Sequence, residues 1–101
     1  MTISQTDLPD DWQIVDASRA RSLEEELQRE VSPVHRLNGV PMQAVAVRAS
    51  NDDALFQHAG EADQWSDVHL TWSGQQEQRD WPSVEFTGTF AEFREAFTSP
   101  V

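Results

Sequence analysis

The sequence predicts a small α+β domain: an antiparallel sheet of three or four strands packed against two terminal helices, in the order α-β-β-β-(β)-α. Three observations carry this. Val68, Leu70 and Trp72 alternate with polar neighbours, the period-two pattern of a half-buried strand. Ala20, Leu23, Leu27 and Val31 recur at spacings of three, four and four, which puts a narrow apolar stripe on one helix face. Phe90, Phe93 and Phe97 repeat at helical spacing just after a Thr89-x-x-Glu92 capping box.

Residues 1–11 are polar, end in Pro9-Asp10-Asp11, and read as a flexible N-terminal tail ahead of a single domain over 12–101. Trp12, Ile14 and Val15 bring the chain onto the core. Asp16 supplies an N-cap for a helix running to about Val31, and Pro33 stops it. Residues 32–41 hold Pro33, Gly39 and Pro41 and read as a loop carrying His35 and Arg36. Met42 to Ala49 forms a first strand, Ser50-Asn51-Asp52-Asp53 a turn, and Ala54 to His58 a second strand. After a turn around Gly60, Trp65 to Trp72 is the third strand; Ser83 to Phe86 is a short fourth.

One principal core face is expected, with Leu23, Leu27, Leu70, Trp72, Phe90 and Phe93 in one cluster and Trp72 and Trp81 closing its end. A simple turn at 50–53 leaves Val45 and Val47 on the face of Phe56, whereas Leu55 belongs with Val68 and Leu70. A bulge would bring the valines to the Leu55 side; the alternative is a sheet covered on both faces.

The chain of 101 residues is long enough for one domain, and its 38% hydrophobic content includes four Trp and five Phe. No apolar run approaches the ~20 residues that span a bilayer. The first residues show no secretory pattern, and the expected setting is the cytoplasm. With no cysteine, disulfides, thiolate chemistry and Cys-based zinc sites are excluded. The charge is −11, and all seven basic residues are arginine. The lack of lysine removes Schiff-base chemistry and the P-loop lysine. Such a surface repels nucleic acid and anionic lipid and favours a basic protein partner, although solubility alone also explains acidity.

The candidate chemistry is thin. His58 and His69 lie four strand residues from one another across the expected hairpin, roughly 13 Å at ~3.3 Å per residue. They cannot share a zinc ion, so neither a metal nor any other cofactor is expected. Asp67, His69 and Thr71 share a strand face with serines nearby. Side chains at i and i+2 project in parallel, however, and no Gly-x-Ser-x-Gly elbow is present, so a polar outer face is the plainer reading and no catalytic residue is assigned. Glu24 and Glu25, with Glu30, read as a solvated acidic helix face that could meet a basic surface.

Leu8-Pro9-x-x-Trp12, Val68-His69-Leu70-Thr71-Trp72-Ser73-Gly74 and Trp81-Pro82 together resemble a group of small bacterial proteins with a His-Leu-Thr-Trp strand followed by Trp-Pro. The likeness covers roughly residues 8–97. Where those proteins carry proline-rich loops, this chain has Gln75 to Asp80. The group has no established activity, so the resemblance implies a bacterial single-domain protein and transfers no site.

The functional expectation is therefore a non-catalytic binding or regulatory module whose acidic surface meets a basic protein, in its sharper form an inhibitor or immunity-type protein. The alternatives are a small hydrolase-like enzyme using the Asp67, His69 and Thr71 face, and a structural subunit that self-associates.

Overall fold

The computed structural model describes residues 3–79 and 81–97. It contains five strands, β1 (Trp12–Ile14), β2 (Met42–Arg48), β3 (Ala54–His58), β4 (Trp65–His69) and β5 (Ser83–Gly88), and two helices, α1 (Ala17–Glu30) and α2 (Phe90–Phe97). The α+β class holds, with one or two strands more than the sequence predicts. All neighbours are antiparallel and the sheet order follows the chain, β1-β2-β3-β4-β5. The extra strand is β1, whose three residues are too few to show a period; Trp12 pairs with Arg48.

The helix starts follow local chemistry. Asp16 accepts a hydrogen bond from the Arg19 amide at 2.8 Å and so satisfies one of the free donors of α1. Thr89 and Glu92 form a reciprocal box, with Glu92 N–H to Thr89 Oγ1 at 3.1 Å and Thr89 N–H to Glu92 Oε1 at 2.8 Å. Gly88 is required beneath it: a Cβ there would stand 2.7 Å from Glu92 Oε1 and 2.9 Å from the Phe86 ring.

Both faces of the sheet are covered. On one, Leu23 and Leu27 of α1 and Val31 just after it pack on Ala44, Ala54, Phe56, Val68 and Leu70. On the other, Phe90 and Phe93 of α2 pack on Trp12, Ala46, Leu55 and Trp65. The single core face expected from the sequence is thus replaced by two. The β3–β4 register, one residue from that expected, pairs Ala54 with Val68 and Leu55 with Asp67, so Val68 and Leu70 lie with Phe56 and not with Leu55. In β2 a bulge, where Ala44 pairs with Phe56 but Ala46 with Leu55, resets the side-chain alternation. Val47 then faces the α1 layer opposite Ala54, while Val45 joins the α2 layer.

Two further expectations are corrected. Trp72 and Trp81 do not close the core; they are 45% and 48% exposed. β4 ends at His69, and Trp72 takes a left-handed φ of 59° that turns the chain out of the ladder. Residues 3–11, read as part of a loose tail, carry a 3-10 turn at Gln5–Asp7 and bury Leu8 against the α2 layer. Asp11 also accepts hydrogen bonds from the Arg48 and Ser50 side chains. Residues 1 and 2 of that tail, with 80 and 98–101, lie outside the described residues.

Candidate functional site

The Asn51-Asp52-Asp53 turn sets the site. Asn51 Oδ1 accepts from the Asp53 amide at 3.1 Å, and the Arg48 amide donates to the Asp53 carbonyl at 2.8 Å. This closes the β2–β3 hairpin with the Asp53 side chain on the α2 side of the sheet. Leu55 pairs with Asp67, so the same face presents Asp67 and, two residues on, His69. A second bulge, between Asp67 and Val68, places Glu85 of β5 beside them. Beyond the end of α2 these groups line an open depression of about 440 Å3, walled by Arg48, Asn51 and Phe97.

Asp53 is buried, and its Oδ1 lies 2.6 Å from His69 Nδ1. A carboxylate there holds the proton on Nδ1 and leaves Nε2 as the open nitrogen of a ring whose side chain is 41% exposed. Asp67 is the unusual member. Its residue is 0% exposed, and among the described residues no N–H or neutral O–H group donates to either carboxyl oxygen. Burial, then the Asp53 charge, a hydrogen bond from the protonated Asp67 to Asp53 and the Glu85 charge push its pKa up to about 8, against a smaller opposing pull from Arg48. At neutral pH Asp67 is mostly a protonated acid. Arg48 is held away by Asp11 at 3.1 Å and by the Phe97 ring, whose centroid is 5.1 Å from its guanidinium carbon.

The Asp67, His69 and Thr71 face is thereby split. Asp67 and His69 share the depression with Asp53, but Thr71 lies beyond β4 and gives its hydroxyl to Glu77 at 3.0 Å. The helix carboxylates are placed differently again. Glu30 is 0% exposed, and its two oxygens accept the amides of Thr71 and Trp72, each at 2.8 Å. Buried Glu26 accepts from the Gly74 amide at 2.9 Å and pairs with Arg29 at 3.1 Å. Glu24 accepts from the Ala44 amide at the β2 bulge at 2.9 Å. Of the three glutamates assigned to a partner-facing surface, Glu30 is therefore internal, Glu24 bonds to β2, and Glu25 alone is fully exposed. The corrected picture is a helix that uses its carboxylates to hold backbone amides.

His58 and His69 lie on opposite faces. His58 Nε2 is 2.8 Å from Ser66 Oγ on the α1 side. Among the described residues no group of three His, Asp or Glu is disposed to hold a metal ion. Asp53, Glu85 and Arg48 are the site residues that sequence reasoning missed. Asp53 reads as an ordinary turn residue, and only the register, one residue away from the expected hairpin, shows that it meets His69. No family model matches the chain, and no curated protein or solved structure is significantly similar to it.

Proposed function

We propose that the protein is a non-catalytic binding module that receives a basic side chain of a protein partner in the Asp53–Asp67–His69 depression, in the manner of an inhibitor or immunity-type protein. The observation that carries this reading is the buried Asp67 carboxyl, to which no N–H group among the described residues donates. Ionised without a donor, such a group costs about 1–3 kcal/mol or more, so Asp67 keeps its proton unless something else supplies a donor and a positive charge. A guanidinium or ammonium group entering beside it would draw the proton off Asp67 and pair with the carboxylate. The net charge of −11 supports the same reading by steering a basic surface toward the chain.

The test uses tri-arginine amide as probe and tri-aspartate as control, followed by NMR on labelled protein. Saturable shifts of the Asp53, Asp67 and His69 amides with the arginine peptide alone are expected, and Asp67→Asn should abolish them. Shifts spread over the whole acidic surface, unchanged in the Asp67→Asn variant, would remove the depression from the proposal. The rival enzyme reading has one observation in its favour, the 2.6 Å Asp53–His69 contact, which could make His69 a general base for water. Among the described residues no serine or threonine lines the depression, and binding is the preferred reading.

A further inference from the structure

We propose a second site, independent of the carboxylate depression: a cleft between the 32–38 loop and β5 in which Arg36, Arg79 and the Ser83 hydroxyl hold the anionic head of a small organic carboxylate or phosphate ester. The cleft measures about 330 Å3, near the lower end for small-ligand pockets. Its lining is mixed in a way that suits such a ligand. Val34 and Val84 give an apolar wall, and two guanidinium groups give planar, multiply donating heads that match a carboxylate or phosphate.

The lining of the cleft supports an anionic ligand. Among the described residues Arg36 and Arg79, like Arg19, Arg21 and Arg94, lie outside ion-pair distance of a carboxylate, but these two converge on one cleft. In a chain with 18 acidic residues, two guanidinium groups meet in a cleft whose described lining contains no carboxylate. Arg36 is also positioned without being discharged. It donates one N–H to Thr87 Oγ1 at 3.0 Å, and that oxygen continues through Ser66 to His58. Burial, aided by the Arg36 charge and opposed by Glu61, holds the His58 pKa below its ordinary value, so the whole chain of partners is neutral at pH 7.

The cleft wall is fixed as well. His35 Nδ1 accepts from the Leu37 amide at 3.0 Å, which makes Nε2 the donor to the Pro82 carbonyl at 2.8 Å. Both ring nitrogens are thus committed. His35 acts as a brace that ties the 32–38 loop to the start of β5, and it leaves anion binding to the arginines and Ser83.

The experiment is an NMR titration of labelled protein at constant ionic strength with inorganic phosphate, acetate, phenyl phosphate and benzoate. Saturable shifts of the Leu37, Ser83 and Val84 amides and of the arginine Nε–H signals are expected. Each aromatic anion should bind about tenfold tighter than the inorganic or short-chain anion with the same head, because its ring meets Val34 and Val84. Phosphate heads binding in preference to carboxylates would assign a phosphate ester, and the reverse order a carboxylic acid. Arg79→Gln and Arg36→Gln should each weaken binding about tenfold. Shifts that rise linearly and match those from chloride, or saturable binding untouched by Arg79→Gln, would overturn the site. Arg36→Gln also removes the Thr87 contact, so if it disturbs the fold the exposed Arg79 decides the question alone.

Discussion

At the scale of single residues, burial sorts side chains of the same type into different roles. Leu70 is buried in the α1 layer beside Leu23 and Leu27, so Leu70→Ala should destabilise by about 2–5 kcal/mol in chemical denaturation. A loss below half a kilocalorie would show that the residue just after β4 does not anchor this layer. Trp72, two residues on, continues the same alternation in sequence but stands half in solvent. Nothing in the local pattern announces this, because the deciding partner is Glu30, more than forty positions away, which takes the amides of Thr71 and Trp72. Asp53 is the parallel case in the site. Its turn propensity was readable, whereas its meeting with His69 depends on a register offset of one residue, to which composition is blind.

The elements themselves were largely legible. Capping chemistry at Asp16 and Thr89, the apolar stripe of α1 and the Phe repeat of α2 all correspond to observed helices, because short-range hydrogen bonds and helical period determine them. The layer arrangement was not, since a one-residue change in the β3–β4 register and one inserted residue in β2 each decide which face a side chain joins. α1 also does more than present a buried stripe. Glu26 and Glu30, one turn apart, grip the segment from Thr71 to Gly74, so Glu30→Ala should release it. Hydrogen exchange at the Thr71 and Trp72 amides should then accelerate by about tenfold or more, with a loss of about 1–3 kcal/mol overall. Unchanged protection at both amides would mean that the segment is held by other contacts.

For the whole molecule the same buried carboxyls set the response to pH. Burial and the neighbouring Glu26 raise the Glu30 pKa to about 7, while Asp67 stands near 8. The unfolded chain releases those protons near pH 4, so the folded state binds more protons across the interval. Stability therefore falls as pH rises from about 5 to 8, by up to about 1.4 kcal/mol per pH unit for each group. His58, with its pKa lowered chiefly by burial, acts in the opposite direction below about pH 6.5. Burial works against ionised Glu26, but hydrogen bonds from Glu30, the Gly74 amide and Arg29 keep its pKa below the ordinary value. The bond from Ser50, with help from Arg48, does the same for Asp11, so both carboxylates lose their stabilising effect only in stronger acid. Urea denaturation from pH 4 to 9 should show maximum stability on the acid side of neutrality, and Asp67→Asn should flatten the alkaline decline. A maximum above pH 8 would contradict protonated Asp67 and Glu30 in the native state.

The two apolar layers also differ in which parts of the chain they join. The α1 layer is made from the interior of the sequence, residues 15 to 84, and every partner in it precedes α2. The α2 layer joins opposite ends: Trp12 meets Phe93 and Phe97 edge-on at 5.0 and 5.3 Å, and Leu8 lies with Phe90. During synthesis the first layer has all its members before residue 90 leaves the ribosome, while Leu55, Trp65 and Trp12 wait for their cover. Phe97 belongs both to that cover and to the wall of the carboxylate depression. The depression thus acquires its last wall in the same step that closes the second layer, and a nascent chain that still exposes its aromatic residues does not yet carry the complete site.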